Sequence, residues 1–173
     1  MPLSTALLAL HHSLVFIETG FYRGDGIQCA LDVGFDCIYS ADVSVFCHGW
    51  CSHRFEKELT KVHLHCGDSR DFLHELLPTI TTQITFWLDA HFCGGDGGDP
   101  EDVPLLEELK VIARHSLKNH ILLIDDVRLM GTLHLPVSQN RIIQQIQKMN
   151  RGYRIEYCDS PDFPNDILVA KVI

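Results

Sequence analysis

The sequence is poor in basic residues and has no long hydrophobic run. It holds 14 Lys and Arg against 23 Asp and Glu, so its formal net charge is −9 with neutral histidines. The basic residues are scattered along the chain, which argues against a nucleic-acid-binding protein. No apolar run approaches the roughly 20 residues that a membrane-spanning helix needs. The apolar residues 2–10 have no basic residue before them, so we also expect no cleaved signal peptide.

Cysteines are few and irregularly spaced. There are seven, an odd number, in a chain of 173 residues that is long enough to form a core without disulfides. We therefore expect reduced thiols, a cytoplasmic location and a single domain over residues 1–173. Cys47, His48, Cys51 and His53 invite a zinc interpretation. Because no CxxC pair supports it, buried helix residues are the favoured alternative.

Short apolar runs alternate with helix-like stretches. We predict strands at residues 15–19, 37–43, 62–66, 84–90, 120–126, 152–158 and 166–173. Helices are predicted at 27–33, 44–59, 69–77, 104–115 and 138–149, with loops at 91–103 and 127–137. This alternation predicts an α/β fold: a doubly wound, seven-stranded, mostly parallel sheet with helices on both faces. The last two strands have no helix between them, so we expect an antiparallel hairpin at one edge.

Acidic and glycine residues gather where the predicted strands end. The residues in question are Glu18 and Thr19, Asp42, Asp68 and Ser69, Asp89, and Asp125 with Asp126. Ligands of open α/β sheets bind beyond these carboxyl ends. Gly20, Gly24 and Gly26 form a GxxxGxG turn, which differs from the GxGxxG of nicotinamide-dinucleotide sites. A turn without any ligand is the alternative. Asp42 lies where a carboxylate can accept hydrogen bonds from both hydroxyls of a ribose.

Five segments in this order resemble the class I S-adenosylmethionine (SAM)-dependent methyltransferases. They are FIETGFYRGDGI, IYSADVS, HCGDSRDFL, FWLDAH and ILLIDDVR, and they span nearly the whole chain. The resemblance implies a Rossmann-like fold in which the turn at 18–26, with Glu18 and Thr19, beds the methionine part of SAM. It also implies that Asp42 holds the ribose, that Asp68 and Ser69 hold the adenine, and that Asp89 belongs to the same site. Asp42 stands where Glu is common in the family.

A divalent-cation site is predicted from Asp89, Asp125 and Asp126. If the fourth and fifth strands are neighbours, these carboxylates converge and would repel one another unless a proton or a cation intervened. Oxygen ligands suit Mg²⁺, and the arrangement resembles the metal-dependent O-methyltransferases. Adjacent residues of a strand point to opposite faces, so a kink after Asp125 is required. The alternative is that Asp126 caps a turn or pairs with Arg128.

His91 follows Asp89 by two residues and is predicted to share its face. An imidazole there could act as general base for an acceptor hydroxyl, which makes Asp89 and His91 the catalytic candidates. The alternative is a histidine that hydrogen-bonds to the following loop. That loop is interpreted as a flap over the substrate or as a solvated loop.

These features predict transfer of the SAM methyl group to an oxygen of a small molecule, such as a sugar, a polyol or a catechol. Two alternatives stay open: a non-catalytic SAM-binding module and a nicotinamide-dependent oxidoreductase. The expected partner is the small-molecule acceptor, with no nucleic acid and no membrane. The apolar residues 2–10 are expected to cover the sheet edge or a partner subunit, which leaves a homodimer open.

Overall fold

A computed structural model describes residues 3–91 and 102–172 as a seven-stranded sheet with helices. The strands are β1 (Val15–Thr19), β2 (Cys37–Asp42), β3 (Val62–Cys66), β4 (Ile84–Leu88), β5 (Ile121–Ile124), β6 (Tyr153–Cys158) and β7 (Ile167–Val172). The α-helices are α1 (Thr5–Leu10), α2 (Asp25–Val33), α3 (Val45–Arg54), α4 (Ser69–Leu76), α5 (Leu105–Ile112) and α6 (Gln139–Met149). Short 3₁₀ turns lie at Leu77–Thr79 and Val127–Leu129. None of the described helices combines the length and apolar character needed to cross a membrane.

The strand order is β3-β2-β1-β4-β5-β7-β6. Strands β1 to β5 pair in parallel, whereas β7 is antiparallel to both β5 and β6. The predicted doubly wound sheet with a C-terminal antiparallel hairpin is confirmed. The order of the strands reverses between β1 and β4, which are direct neighbours, and such a reversal opens a crevice at the carboxyl ends.

Two hydrophobic cores cover the two faces of the sheet. Side chains of successive strand residues point to opposite faces, so Phe16 packs with α2 and α3, while Ile17 packs with α4, α5 and α6. In β4, Trp87 and Phe86 divide between the same two cores. Continuous burial of β1 and β4 explains why both read as unbroken apolar runs.

The N-terminal apolar residues form a helix that the sequence did not reveal. Ser4 caps α1, because its Oγ accepts a hydrogen bond of 3.1 Å from Leu7 N. Leu3, Leu7 and Leu8 are buried in the core beside α2. The segment thus covers one face of the sheet, and the expectation that it covers the sheet edge is wrong.

Several predicted elements end earlier than expected. Helix α3 stops at Arg54 rather than continuing to 59. Strands β4 and β5 stop at Leu88 and Ile124, where their parallel pairing ends. Asp89 and Asp125 therefore lie just beyond the paired strand residues, where side chains need not alternate between the two faces of the sheet.

Candidate functional site

The structure brings the predicted ligand-binding residues to one edge of the sheet, where the parallel strands β1 to β5 end. This edge is called the rim below. Gly20 N donates to Ala41 O at 2.8 Å, and Asp89 N donates to Thr19 O at 3.0 Å. Gly67 N donates to Asp42 O at 2.9 Å, which joins the ends of β2 and β3. Backbone hydrogen bonds thus link the carboxyl ends of β1, β2, β3 and β4 around the crevice.

Two glycines of the turn are required by close contacts. Gly20 has φ +86°, and a Cβ atom there would lie 2.5 Å from the carbonyl oxygen of Asp89. At Gly26, in the first turn of α2, a Cβ would lie only 1.8 Å from Glu18 Oε1. Gly24 stands between them as the N-cap of α2. The turn accordingly keeps its backbone close to β1 and β4, and a ligand can approach that backbone closely because no side chain intervenes at these glycines.

Glu18 supports this turn from below. Its side chain is buried, and its carboxyl accepts a hydrogen bond of 2.6 Å from Ser40 Oγ. Burial raises the pKa of Glu18 to about 8, so the carboxyl is largely protonated at neutral pH. It faces Gly26 rather than solvent, and this contact is what excludes any side chain at that position.

Asp42 ties the glycine turn to β2. Its Oδ2 accepts a hydrogen bond of 2.8 Å from Tyr22 N, and its Oδ1 accepts one of 2.9 Å from Ser44 N. Each carboxylate oxygen has a second lone pair. Asp42 can therefore hold the turn and still accept two hydroxyl groups of a ribose.

Asp68 is engaged by a neighbouring arginine. It caps α4, since its Oδ1 accepts a hydrogen bond of 2.8 Å from Arg70 N, and the Arg70 guanidinium contacts both of its carboxylate oxygens. The same guanidinium contacts Asp102. These hydrogen bonds lower the pKa of Asp68. Ser69 follows it, buried at the start of α4. Any ligand at Asp68 must share it with Arg70.

His91 lies between two carboxylates. Its Nε2 is 3.0 Å from Asp126 Oδ2, and its Nδ1 is 3.3 Å from Asp89 Oδ1. Hydrogen bonding to Asp126 and then to Asp89 raises the pKa of His91 to about 10. Burial raises the pKa of Asp89. The imidazole is consequently charged in this arrangement, and it can act as a general base only if these carboxylates are drawn elsewhere.

The three aspartates predicted to bind a cation fall into two overlapping clusters. Possible ligand atoms lie within 4.8 Å of one another in Asp89, His91 and Asp126, and again in Asp125, Asp126 and Asp166. The predicted kink is present, because Asp126 has φ +58°. Asp126 is common to both clusters, and the set as predicted is divided between them.

Asp125 is buried with one oxygen, Oδ1, lacking a hydrogen-bond partner. Burial, followed by repulsion from Asp89 and Asp126, raises the pKa of Asp125 to about 8. Asp126 behaves oppositely: burial opposes its ionisation, but His91 and Arg128 outweigh burial and lower its pKa. The Arg128 Nη1 to Asp126 Oδ1 distance of 2.6 Å shows that the alternative pairing with Arg128 is also formed.

Asp166 is a rim residue that sequence reasoning missed. Its buried carboxylate accepts a hydrogen bond of 3.0 Å from Arg128 N and also contacts the Arg128 guanidinium. It immediately precedes β7. Because β7 runs antiparallel to β5, the start of β7, not its end, lies at the rim. Counting strand ends alone could not find it, whereas counting the start of the antiparallel strand would have.

Glu108 on α5 is the second missed residue. Its side chain is 1% exposed, near the hydroxyls of Ser69 and Thr19, and its Oε1 has no hydrogen-bond partner. Burial raises the pKa of Glu108 to about 7. The available signal was its spacing: it lies three residues after Leu105 and four before Ile112, on the apolar stripe of the helix.

The cysteines of α3 behave as core residues. Cys47 and Cys51 are buried, and Cys51 Sγ donates to Tyr22 O at 3.6 Å. Burial raises the pKa of Cys51 to about 12, which opposes the thiolate that zinc needs. The preference for packing over zinc is thus supported. The predicted flap at 91–103 lies largely outside the described residues, apart from His91, Asp102 and Val103.

Similar proteins are found among solved structures. No protein-family model and no curated protein matches the sequence. An O-methyltransferase from Bacillus cereus, in complex with SAH, has a TM-score of 0.63 at 12% identity over 98% of this chain and 78% of its own. The O-methyltransferase TomG from Streptomyces achromogenes, in complex with SAM and involved in tomaymycin synthesis, has a TM-score of 0.63 at 14% identity over 97% and 77%. The chain has the methyltransferase fold.

The methyltransferase fold is not restricted to one kind of acceptor among these structures. An rRNA methylase from Streptococcus thermophilus has a TM-score of 0.61 at 12% identity, over 98% of this chain and 93% of its own. Identities this low establish the fold alone, so the activity of this chain has to be argued from its own rim.

Proposed function

We propose that this protein transfers the methyl group of SAM to an oxygen atom of a small molecule such as a sugar, a polyol or a catechol. The observation that carries the proposal is the bond from Tyr22 N to Asp42, which closes the glycine turn against an acidic strand end at the crevice between β1 and β4. That combination supplies a close backbone approach and a bidentate hydroxyl acceptor in one place.

The rim residues divide the cofactor among them. Asp42 accepts the ribose hydroxyls, Asp68 and Ser69 face the adenine, and the turn around Gly20 holds the methionine portion beside Asp89. SAM supplies an electrophilic methyl group on a sulfonium. The acceptor oxygen would attack that carbon as the carbon–sulfur bond breaks, SAH would be the leaving group, and the acceptor proton would pass to His91 or to solvent. Most of the rate gain comes from alignment of the two reactants.

The carboxylate oxygens at the ends of β4 and β5 are the kind of ligand that a divalent cation such as Mg²⁺ takes, and Asp126 is common to both of their clusters. Asp125 Oδ1 is a buried oxygen without a donor, and Asp89 and Asp126 are at present paired with a cationic side chain. We propose that Asp89, Asp125 and Asp126 hold the cation. It would lower the pKa of an acceptor hydroxyl. His91, relieved of its carboxylate partners, would then be able to accept a proton.

A small acceptor is favoured over RNA. The chain carries a net charge of −9, and the rim gathers carboxylates rather than the lysines and arginines that bind phosphates. The six cysteines in the described parts of the chain are free thiols, which supports the proposed cytoplasmic location.

A non-catalytic SAM-binding module is the second candidate. It is favoured by the state of His91, whose ring is held as a cation between Asp89 and Asp126 and is not free to remove a proton. Binding of SAM without turnover on sugars, polyols and catechols, with and without Mg²⁺, would select this candidate.

Calorimetric binding of SAM tests the cofactor assignment. Asp42→Ala should weaken SAM binding about 10–100-fold, because hydrogen bonds to a charged group contribute roughly 1.5–3 kcal/mol. Asp36→Ala is the matched control: Asp36 is exposed and precedes the same strand at its opposite end. Equal SAM affinity in both variants would remove the assignment, and tighter binding of NAD than of SAM would favour an oxidoreductase.

A further inference from the structure

Two basic side chains contact the carboxylate of Asp126. Its Oδ1 lies 2.6 Å from Arg128 Nη1, and its Oδ2 lies 3.0 Å from His91 Nε2. Asp125, directly before it, keeps a buried oxygen, Oδ1, that has no hydrogen-bond partner. The two neighbouring aspartates therefore differ, because one carboxylate is neutralised from within the chain and the other is left with an unpaired oxygen.

Arg128 has a second carboxylate partner, on the C-terminal hairpin. The same Nη1 contacts Asp166, whose side chain is 0% exposed, and the backbone N of Arg128 donates to Asp166 Oδ1 at 3.0 Å. Ser160 Oγ donates to the other oxygen, Oδ2, at 3.2 Å. The guanidinium carbon also lies 4.2 Å from the centroid of the Phe163 ring. These contacts hold Arg128 at the rim independently of Asp126.

A guanidinium beside Asp126 opposes a second cation on the same carboxylate. A divalent cation held by Asp126 would face Arg128 across one carboxylate oxygen, and like charges so close repel. Asp126 must therefore give up one positive partner to take another. Leaving the fully buried Asp166 unpaired would be costly, but that contact of Arg128 can stay. Asp126 can thus exchange Arg128 for a cation without stranding a buried charge.

We propose that Arg128 is a built-in competitor of the divalent cation: it neutralises Asp126 when no cation is bound, and it lowers the affinity of the cation site because it must leave Asp126 when one binds. Asp166 retains the displaced guanidinium. This inference rests on the proposed function, since it concerns the cation that Asp125 and Asp126 are proposed to hold together with Asp89. Arg128 and Asp166 are assigned no contact with the acceptor or with SAM.

Calorimetric titration with MgCl₂ and with MnCl₂, in the absence of SAM, measures this competition. Arg128→Gln should bind each metal about tenfold or more tightly than the parent protein, because the competing charge is removed. Arg141→Gln removes an exposed positive charge from α6 and is the matched control, which should stay within about twofold of the parent. Equal or weaker metal binding by Arg128→Gln is the result of a merely structural role, and it would overturn the proposal.

The double variant Arg128→Gln/Asp166→Asn separates competition from net charge. It removes a neutral pair and leaves no buried carboxylate without its cation, and the asparagine can still accept the backbone hydrogen bond and donate to Ser160. Its metal affinity should exceed that of the parent by about threefold, less than in Arg128→Gln, because release of Asp126 then acts without a change in charge. An affinity no higher than that of the parent would refute competition. Thermal unfolding verifies that each variant is folded.

The outcomes distinguish this inference from the proposed function. SAM affinity is measured separately on each protein, so loss of the cofactor assignment is visible whatever the metal titrations give. Intact SAM binding with metal affinity unchanged in Arg128→Gln would refute the competition alone. If neither the parent nor either variant binds metal at millimolar concentration, the cation site and this inference are both wrong.

Discussion

The two ends of the sheet treat buried polar groups in opposite ways. At the end where β4 and β5 begin, His120 Nδ1 accepts a hydrogen bond of 3.2 Å from Ile84 N. His120 Nε2 lies 2.8 Å from His115 Nδ1. His115 Nε2 in turn lies 2.8 Å from Ile80 O. Of the buried oxygens described that lack a hydrogen bond, one, Tyr153 Oη, lies at this end and four lie at the rim, where Asp89 Oδ1 keeps only its ion-pair contact of 3.3 Å with His91 Nδ1. The first end is completed for stability, and the rim is left incomplete for a ligand.

The buried titratable groups at the two ends also differ in how their pKa values are shifted. Burial lowers the pKa of His120 to about 4, because a neutral ring is what its hydrogen bonds require. At the rim, burial raises the pKa of Glu18 and of Asp125 to about 8. Burial disfavours the charged form of these three groups, although His91 at the rim is kept charged by its two carboxylate partners. His120 stays neutral with a partner for each ring nitrogen, whereas Asp125 stays neutral with one oxygen unpaired.

The largest expected effect breaks the complete end. His120→Leu keeps roughly the volume of the ring but leaves Ile84 N without this partner and leaves His115 Nδ1 with only the hydrogen bond of 3.2 Å from Leu117 N. The free energy of unfolding should fall by about 3 kcal/mol, the upper end of the roughly 1–3 kcal/mol that one buried unpaired donor costs, because a bond between two buried histidines is lost as well. Urea unfolding measures this.

His74→Leu, an exposed position on α4, serves as the control and should change stability by less than about 0.5 kcal/mol. SAM affinity should be the same in both variants, because the network is at the far end of the sheet. A loss of stability below 1 kcal/mol in His120→Leu, on the order of an ordinary surface change, would contradict the comparison.

A smaller effect, of opposite sign, is expected at the rim. The folded-state pKa of Asp125 is raised to about 8, so its contribution to stability is fully present below the unfolded value near 4 and is lost as pH rises through 8. Asp125→Asn removes this loss. The variant should be more stable than the parent by about 2 kcal/mol at pH 8.5 and equal to it near pH 4.

Urea unfolding at several pH values checks the sign. His120 acts the other way: its lowered pKa makes the parent protein lose stability between pH 6.5 and 4. The difference between Asp125→Asn and the parent cancels that common term. Asp162→Asn, an exposed position in the C-terminal hairpin, is the control and should change stability by less than about 0.5 kcal/mol. A destabilised Asp125→Asn at pH 8.5 would mean that the rim is not strained by its carboxylates.

The sequence predicted the frame of the site but not its state. Periodicity located every strand, and the rule that ligands bind at carboxyl ends brought Gly20, Asp42 and Asp89 together. Helix α1 was missed because six residues with one capping serine give little periodicity, and its stability comes from packing on α2.

The remaining site residues depend on tertiary distances. Asp166 reaches the rim because β7 is antiparallel, and Glu108 reaches it because α5 packs beside α4, near Ser69 and Thr19. The charge on His91 follows from two carboxylates within 3.3 Å, a fact of geometry that residue spacing does not contain. Sequence position indicated a base, whereas the fold supplies an ion pair.

The smallest effect concerns Asp68, which serves both the fold and the proposed cofactor. Its carboxylate caps α4 and pairs with a partly exposed Arg70, a pairing that contributes little because solvent screens it. Asp68→Asn keeps a good N-cap and removes the charge. Stability should change by less than about 1 kcal/mol, while SAM affinity should fall about threefold to tenfold if Asp68 accepts a hydrogen bond from the adenine.

Asp71→Asn is the matched control for Asp68, because it lies exposed in the first turn of the same helix. Calorimetry with SAM and urea unfolding of both variants separate the two roles. A loss of stability in Asp68→Asn without any change in SAM affinity would assign Asp68 to the fold alone. The binding site would then extend only as far as Asp42 at the end of β2. Asp68, at the end of β3, would stabilise the fold, as the histidine network does at the opposite end of the sheet.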